Sequence, residues 1–169
     1  FISITTLDHV LSRTLEPRGA SPSRRLRTIE TLARAGIPVH VNAAPVIPFI
    51  TEPELEKILA AARDAGAIDA HYTVLRLPWE VSPLFQTWLE THFPERAQRV
   101  MNRVRDMRGG RDYDSSFRTR MKGEGTWAEL IRSRFMQACR RLGYARTDRP
   151  LRTDLFRPPQ PDRPQLDLF

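Results

Sequence analysis

Three short apolar runs, separated by two stretches of helical spacing, fill the first 78 residues and leave few folds open. Phe1-Ile2-Ser3-Ile4-Thr5-Thr6 reads as a strand. Ser21 reads as an N-cap with Pro22 at the first helical position, and Leu26, Ile29, Leu32 and Ala33 recur at helical spacing up to Gly36. A second strand is expected over 37–43. Thr51 and Glu54 form a capping-box pattern ahead of Leu55, Ile58, Leu59 and Ala62, and Gly66 closes that helix. A third strand is expected over about 68–75, ending at Arg76-Leu77-Pro78. The order β-α-β-α-β implies a parallel sheet with right-handed crossovers, whose strands end on a common edge where α/β proteins place their chemistry. Three strands cannot close a barrel, so further strands are expected upstream. The chain also opens directly on an apolar strand, whose unpaired edge native folds usually avoid. It is therefore expected to be the C-terminal part of a longer protein; the alternative is a trimmed but intact domain.

The pattern changes after Pro78. Helices are expected from Ser82-Pro83, with Leu84, Phe85, Trp88 and Leu89 inward, and from Pro94, with Ala97, Val100, Met101 and Val104 inward. A Gly- and Arg-rich loop covers about 108–125. A last helix over about 126–142 carries Trp127, Ile131, Phe135, Ala138 and Leu142 on one side, with Gly143 as its cap. Residues 147–169 include five prolines and little apolar content, and disorder is expected there. The organisation is thus a sheet-forming segment (1–78), a helical extension with a basic loop (79–145) and a Pro-rich tail (146–169).

Polar residues at the strand ends suggest a ligand site. Thr5, Thr6, Glu16, Arg18, Asn42 and Arg76 together could grip a zwitterionic, hydroxyl-rich molecule through ion pairs and hydroxyl or amide contacts. The alternative is a local ion pair or cap formed by Glu16 and Arg18. The loop is a second candidate. Arg103, Arg105, Arg108, Arg111, Arg118, Arg120 and Lys122 outnumber Asp106, Asp112 and Asp114, with Tyr113 and Phe117 among them. Cations for phosphates and rings for bases suit a nucleic acid; a solvated loop with locally paired charges is the alternative. The net charge of +7 agrees with an anionic partner, although only Lys57 and Lys122 are lysine and a genome bias toward Arg would produce the same excess. No run approaches the roughly 18 apolar residues of a membrane span, and no signal peptide is visible. The single Cys139 excludes an intrachain disulfide and a Cys-cluster metal site within this sequence.

Glu16-Pro17, Arg24-Arg25-Leu26, Ala35-Gly36-Ile37-Pro38 and Ala44-Pro45-Val46-Ile47 together resemble the radical S-adenosylmethionine enzymes related to spore photoproduct lyase, the DNA repair photolyase-like group. Leu75-Arg76-Leu77-Pro78, Glu80-Val81, Leu84-Phe85, Trp88-Leu89 and Arg108-Gly109-Gly110 extend the resemblance to about residue 145. It implies an α/β fold, the C-terminal portion of a partial (β/α)₆ barrel, with the three strands here corresponding to its fourth to sixth. It implies S-adenosylmethionine and a [4Fe–4S] cluster as cofactors, the cluster held by a C-x₃-C-x₂-C loop that this sequence lacks. Thr6, Glu16, Arg18, Asn42, Ala44, Pro45 and Arg76 would lie about the S-adenosylmethionine. The implied activity is lyase-like: a 5′-deoxyadenosyl radical abstracts hydrogen from a substrate, in DNA repair or nucleic-acid modification in the bacterial cytoplasm. This sequence alone is expected to be inactive, and no catalytic residue can be assigned. Arg108, Arg111, Tyr113, Arg118, Arg120 and Lys122 are the expected DNA contacts. A non-catalytic DNA- and clamp-binding module is the competing reading.

The terminal Gln165-Leu166-Asp167-Leu168-Phe169 resembles the pentapeptide by which bacterial repair and replication proteins dock on the sliding clamp. Gln165, Leu166, Leu168 and Phe169 would fill preformed pockets, with the Pro-rich stretch supplying reach. An apolar terminus folding back onto the core is the alternative.

Overall fold

Parallel pairing joins three strands in the order β1-β2-β3 in the computed structural model, which describes residues 1–144 and 153–158. The strands are β1 (Ile2–Ile4), β2 (His40–Val46) and β3 (Asp69–Val74). Six α-helices accompany them among the described residues: α1 (His9–Leu15), α2 (Pro22–Arg34), α3 (Leu55–Asp64), α4 (Val81–His92), α5 (Pro94–Asp106) and α6 (Gly125–Arg141). The fold is mixed α/β. No described helix is long and apolar enough to cross a membrane.

Strand parity sorts the sheet into two unlike faces. Ile4, Val41, Ala43, Ala70, Tyr72 and Val74 point to one side and form one core with Ile29 of α2, Ile58 and Leu59 of α3, and Ile131 and Phe135 of α6. Both crossovers place their helices on this side, as right-handed connections require. The other side carries Ser3, His40, Asn42, Asp69 and His71, all exposed or half-buried. Parallel sheets are ordinarily covered on both faces, so a polar, partly open face is unusual. A second core, with Ile47, Leu77, Phe85, Leu89, Val100 and Val104, joins α4 and α5 to the segment after β2.

The local signals explain most element boundaries. The Ser21 hydroxyl accepts from Arg24 N, and Pro22 starts α2. Gly36 has φ +74°, the left-handed conformation a helix end calls for, and Ile37 N then closes back on Leu32 O at 3.0 Å. Ile37 to Val39 then run as an irregular link, and β2 spans His40–Val46 rather than 37–43. Pro45 lies inside it, across a cis Ala44–Pro45 bond and at a break in register between Ala43 and Val46. Such irregularities are where a strand accommodates proline.

Two further expectations change. The segment after β1 is not all loop: Asp8 caps α1 by accepting from Val10 N (2.7 Å) and Leu11 N (3.1 Å), and Leu11 and Leu15 pack on the second core. The capping box at Thr51 and Glu54 does not form. Thr51 Oγ1 instead donates to Pro45 O and accepts from Ile47 N, while Glu54 reaches β1. The Pro-rich tail beyond Tyr144 and the terminal Gln165, Leu166, Leu168 and Phe169 lie outside the described residues, apart from 153–158.

Candidate functional site

The parallel register puts the three strand ends on one edge, but Asn42 lies in the first half of β2, and several polar groups at that edge are already satisfied by one another. Thr5 Oγ1 lies 2.9 Å from both Glu16 Oε2 and Ala44 O. The Glu16 carboxylate pairs with Arg25, not Arg18, at 3.1 Å; Arg25 also donates to Ser3 O (2.8 Å) and Ala20 O (3.0 Å). Arg25 therefore anchors α2 to the end of β1, a role its neighbours in sequence do not signal. Thr6 is buried and donates to Glu54 Oε1 at 2.9 Å, while Leu7 N donates to Glu54 Oε2 at 2.7 Å. The Thr6 hydroxyl, expected to contact a ligand, is here engaged in tying the segment after β1 to the turn before α3.

Arg18, Asn42 and Arg76 keep binding capacity. Arg18 is exposed. Asn42 Oδ1 is shielded from solvent and has no hydrogen-bond partner. Arg76 donates to the Tyr113 hydroxyl at 3.1 Å, and its Nε is likewise buried and unpartnered. Pro45 offers its carbonyl to Thr51, and Ala44 its carbonyl to Thr5.

The basic loop is fixed to the open edge of β3. Val74 N donates to Met121 O at 2.9 Å, and Lys122 Nζ donates to Tyr72 O at 2.6 Å while lying 3.6 Å from the Tyr72 ring centroid. An ammonium and a short backbone pairing thus blunt an edge that would otherwise recruit another strand. Arg108 is 2% exposed, and its guanidinium donates to Leu75 O (2.8 Å) and Thr119 O (2.9 Å). Desolvation holds its pKa below the usual Arg range. Arg108 is accordingly a buried clamp and does not present its charge to a nucleic acid. Tyr113 is half-buried against Arg76. Arg105 pairs with Asp112 at 2.7 Å, and Ser82 and Gln86 bond the same carboxylate, which keeps it below the usual carboxylate range despite burial.

What remains outward is a smaller group. Arg111 and Arg118 are exposed, and Phe117 is 84% exposed with the Arg120 guanidinium 3.7 Å from its ring centroid. Arg111 and Arg118 also line a cavity of about 310 Å³ with Ser116 and Thr119.

A third cluster was missed by sequence reasoning, which named no metal ligands. His40, Asp69 and His71 bring one ligand atom each to within 4.8 Å of one another. The signal was present as His-x-Asn in one strand and Asp-x-His in the next. Only the register that pairs His40 with Asp69 turns it into a cluster.

No family profile matches the chain, and no solved structure does. Three curated mycobacterial proteins, one from Mycobacterium bovis and two from strains of Mycobacterium tuberculosis and all described as uncharacterised, are 31% identical to it over 100 residues. The match covers 58% of this chain but only 29% of each relative, so the chain spans less than a third of the length of the relatives it matches.

Proposed function

We propose that the chain forms the C-terminal wall of a radical S-adenosylmethionine enzyme that acts on nucleic acid. The observation that carries this reading is the polar, partly open face of a parallel sheet whose other face is fully packed by helices. A sheet of this kind suits the inner wall of a barrel whose other strands come from elsewhere. The greater length of the mycobacterial relatives is compatible with it.

The two implied cofactors fare differently against these residues. A [4Fe–4S] cluster needs several thiolates, and Cys139 is single, 4% exposed and part of the α6 core face. This chain therefore does not fit the cluster, and no chemical step is assigned to it. For S-adenosylmethionine, the exposed Arg18 retains polar capacity beyond the end of β1, and Asn42, with its unpartnered Oδ1, does so from the first half of β2, where it pairs in register with His71. Thr5, Glu16 and Arg25 would act by holding the loop that carries Arg18. The test is made on the complete gene product, reconstituted anaerobically with iron and sulfide, reduced and supplied with S-adenosylmethionine. Release of 5′-deoxyadenosine, measured by mass, is expected. A protein that binds no cluster and cleaves no S-adenosylmethionine would overturn the reading.

A non-catalytic nucleic-acid- and clamp-binding module is the second reading, favoured by the outward Phe117–Arg120 pair beside Arg111 and Arg118. A ring with a guanidinium over it, flanked by cations, suits a stacked base and its phosphates. Reversing Arg111 and Arg118 to Glu is expected to weaken DNA binding and to reduce the slope of log affinity against log salt by about 2, one unit per lost phosphate contact. An unchanged slope would remove the loop from the interface. The proposed clamp contact rests on the terminal pentapeptide alone.

A further inference from the structure

The N-terminal ends of β2 and β3 lie at the opposite end of the strands from Thr6, Pro45 and Arg76, and they hold a separate set of donors. The sheet register sets His40 beside Asp69, and His71 follows Asp69 by two residues, so all three project from the partly open face. Asp69 Oδ1 accepts from Ala70 N at 2.7 Å, which fixes the carboxylate. Its Oδ2 then stands 3.8 Å from His40 Nδ1 and 3.6 Å from His71 Nε2. Both separations are too long for hydrogen bonds. They lie within a few tenths of an ångström of the about 3.4 Å ligand–ligand edge that zinc–nitrogen and zinc–oxygen bonds of about 2.1 Å set in a tetrahedral site.

His40 Nδ1 is shielded from solvent and has no hydrogen-bond partner. The two imidazole planes are parallel within 5°, and the Phe1 ring meets both edge-on at 4.9 and 5.0 Å.

The geometry points to His40, Asp69 and His71 as a binding site for a first-row divalent metal ion, with zinc the best match. Two imidazoles and one carboxylate favour a borderline ion over magnesium or calcium, which seek oxygen shells. Three protein ligands leave a position open for water or an anion. Asp69 and His71 also line a cavity of about 800 Å³ that carries Arg118, Lys122 and Arg132, so an anion is the fitting fourth ligand. The nearby Lys122 charge tempers affinity for a cation. The site borders the radical-enzyme reading at Asn42, which pairs in register with His71, but uses none of the residues assigned to that cofactor as ligands, so zinc binding tests it separately.

The test is a zinc titration of the chain, stripped with chelator and free of any affinity tag, followed by calorimetry and by competition with a chromophoric chelator. One zinc ion per chain with a Kd at or below about 10 μM is expected. His71→Ala, at a half-exposed position where folding is not at stake, is expected to weaken binding at least about tenfold, and Asp69→Asn to do the same. The chain has four histidines, and His9→Ala combined with His92→Ala should leave binding unchanged. The proposal fails if the wild-type chain takes up no zinc at about 100 μM. It fails equally if His71→Ala binds as wild type, or if the His9 and His92 changes abolish binding.

Discussion

Arg134→Ala is expected to lower the melting temperature by about 9 °C, from a loss of about 3 kcal/mol at about 2–4 °C per kcal/mol for a chain of this size. Arg134 on α6 holds two carboxylates that start α3. It makes a paired contact to Glu56, with Nε–Oε1 and Nη2–Oε2 both at 2.8 Å. It also contacts Glu52 Oε1 and donates to Glu52 O at 3.2 Å. The Glu52 side chain is only 6% exposed. Without Arg134 its remaining partner is Phe49 N at 3.3 Å, and an uncompensated charge stays in the core. The magnitude comes from that stranded charge more than from the lost attraction. A Glu52→Gln, Arg134→Met double variant is therefore expected to recover at least half of the loss. Equal destabilisation in single and double variants would show instead that α6 packing alone is at stake.

The same cluster sets an acid dependence. Hydrogen bonding from Arg134 is the leading cause that holds the Glu56 pKa below its ordinary value, and burial opposes it. A carboxylate with a depressed folded pKa adds stability that is fully present above its unfolded pKa, near 4.3, and is lost as pH falls through the folded value. Wild type and Arg134→Ala should therefore differ most at neutral pH and converge as the medium is acidified below about pH 4. Chemical denaturation at pH 7, 5 and 3.5 checks this; a gap that stays constant would assign the effect to packing.

How much of this was legible in the sequence depended on the range of the interaction. Ser21 and Gly36 mark helix ends through bonds that reach three to five residues, Pro22 and Pro94 through a fixed φ, and those ends stand where the pattern puts them. Glu54 shows the limit. Its spacing from Thr51 reads as a cap, yet its partner Thr6 lies 48 residues away. Glu16 likewise pairs with Arg25 rather than with the nearer Arg18. Asp8 carried a cap signal, but a seven-residue helix offers too few apolar repeats to register as a period. The polarity of the open sheet face was readable as alternating residues. The gathering of His40, Asp69 and His71 needed the offset between two strands, which local pattern does not encode. Composition misled at Arg108, because a run of arginines reads as a solvated surface while one of them closes the core.

Arg108→Met should release the basic loop while leaving the sheet largely formed, at a cost of about 1–3 kcal/mol from the buried Leu75 O left without its donor, whereas Thr119 O keeps Lys122 N and Gly123 N. Methionine keeps most of the apolar stem, so the change isolates the guanidinium. That group bonds Leu75 O at the end of β3 and Thr119 O across the loop, between the Asp112 and Tyr113 anchors at the start of the loop and the Met121 and Lys122 anchors at its end. Amide exchange over 111–123 is expected to accelerate far more than in β2 or α3, and trypsin should cut after Arg111 and Arg118 first. Uniform acceleration throughout the chain would show that Arg108 supports the whole core rather than the loop. Arg108→Lys, with a single point charge in place of the fork, should fall between the two. Under the proposed nucleic-acid reading, the variant also separates two ways of losing affinity. A buried clamp touches no phosphate, so Arg108→Met should weaken binding by disordering Arg111, Arg118 and Phe117 while leaving the salt slope near that of wild type. Loss of a full unit of slope would mean that Arg108 leaves its pocket to meet the nucleic acid, and that the loop rearranges on binding.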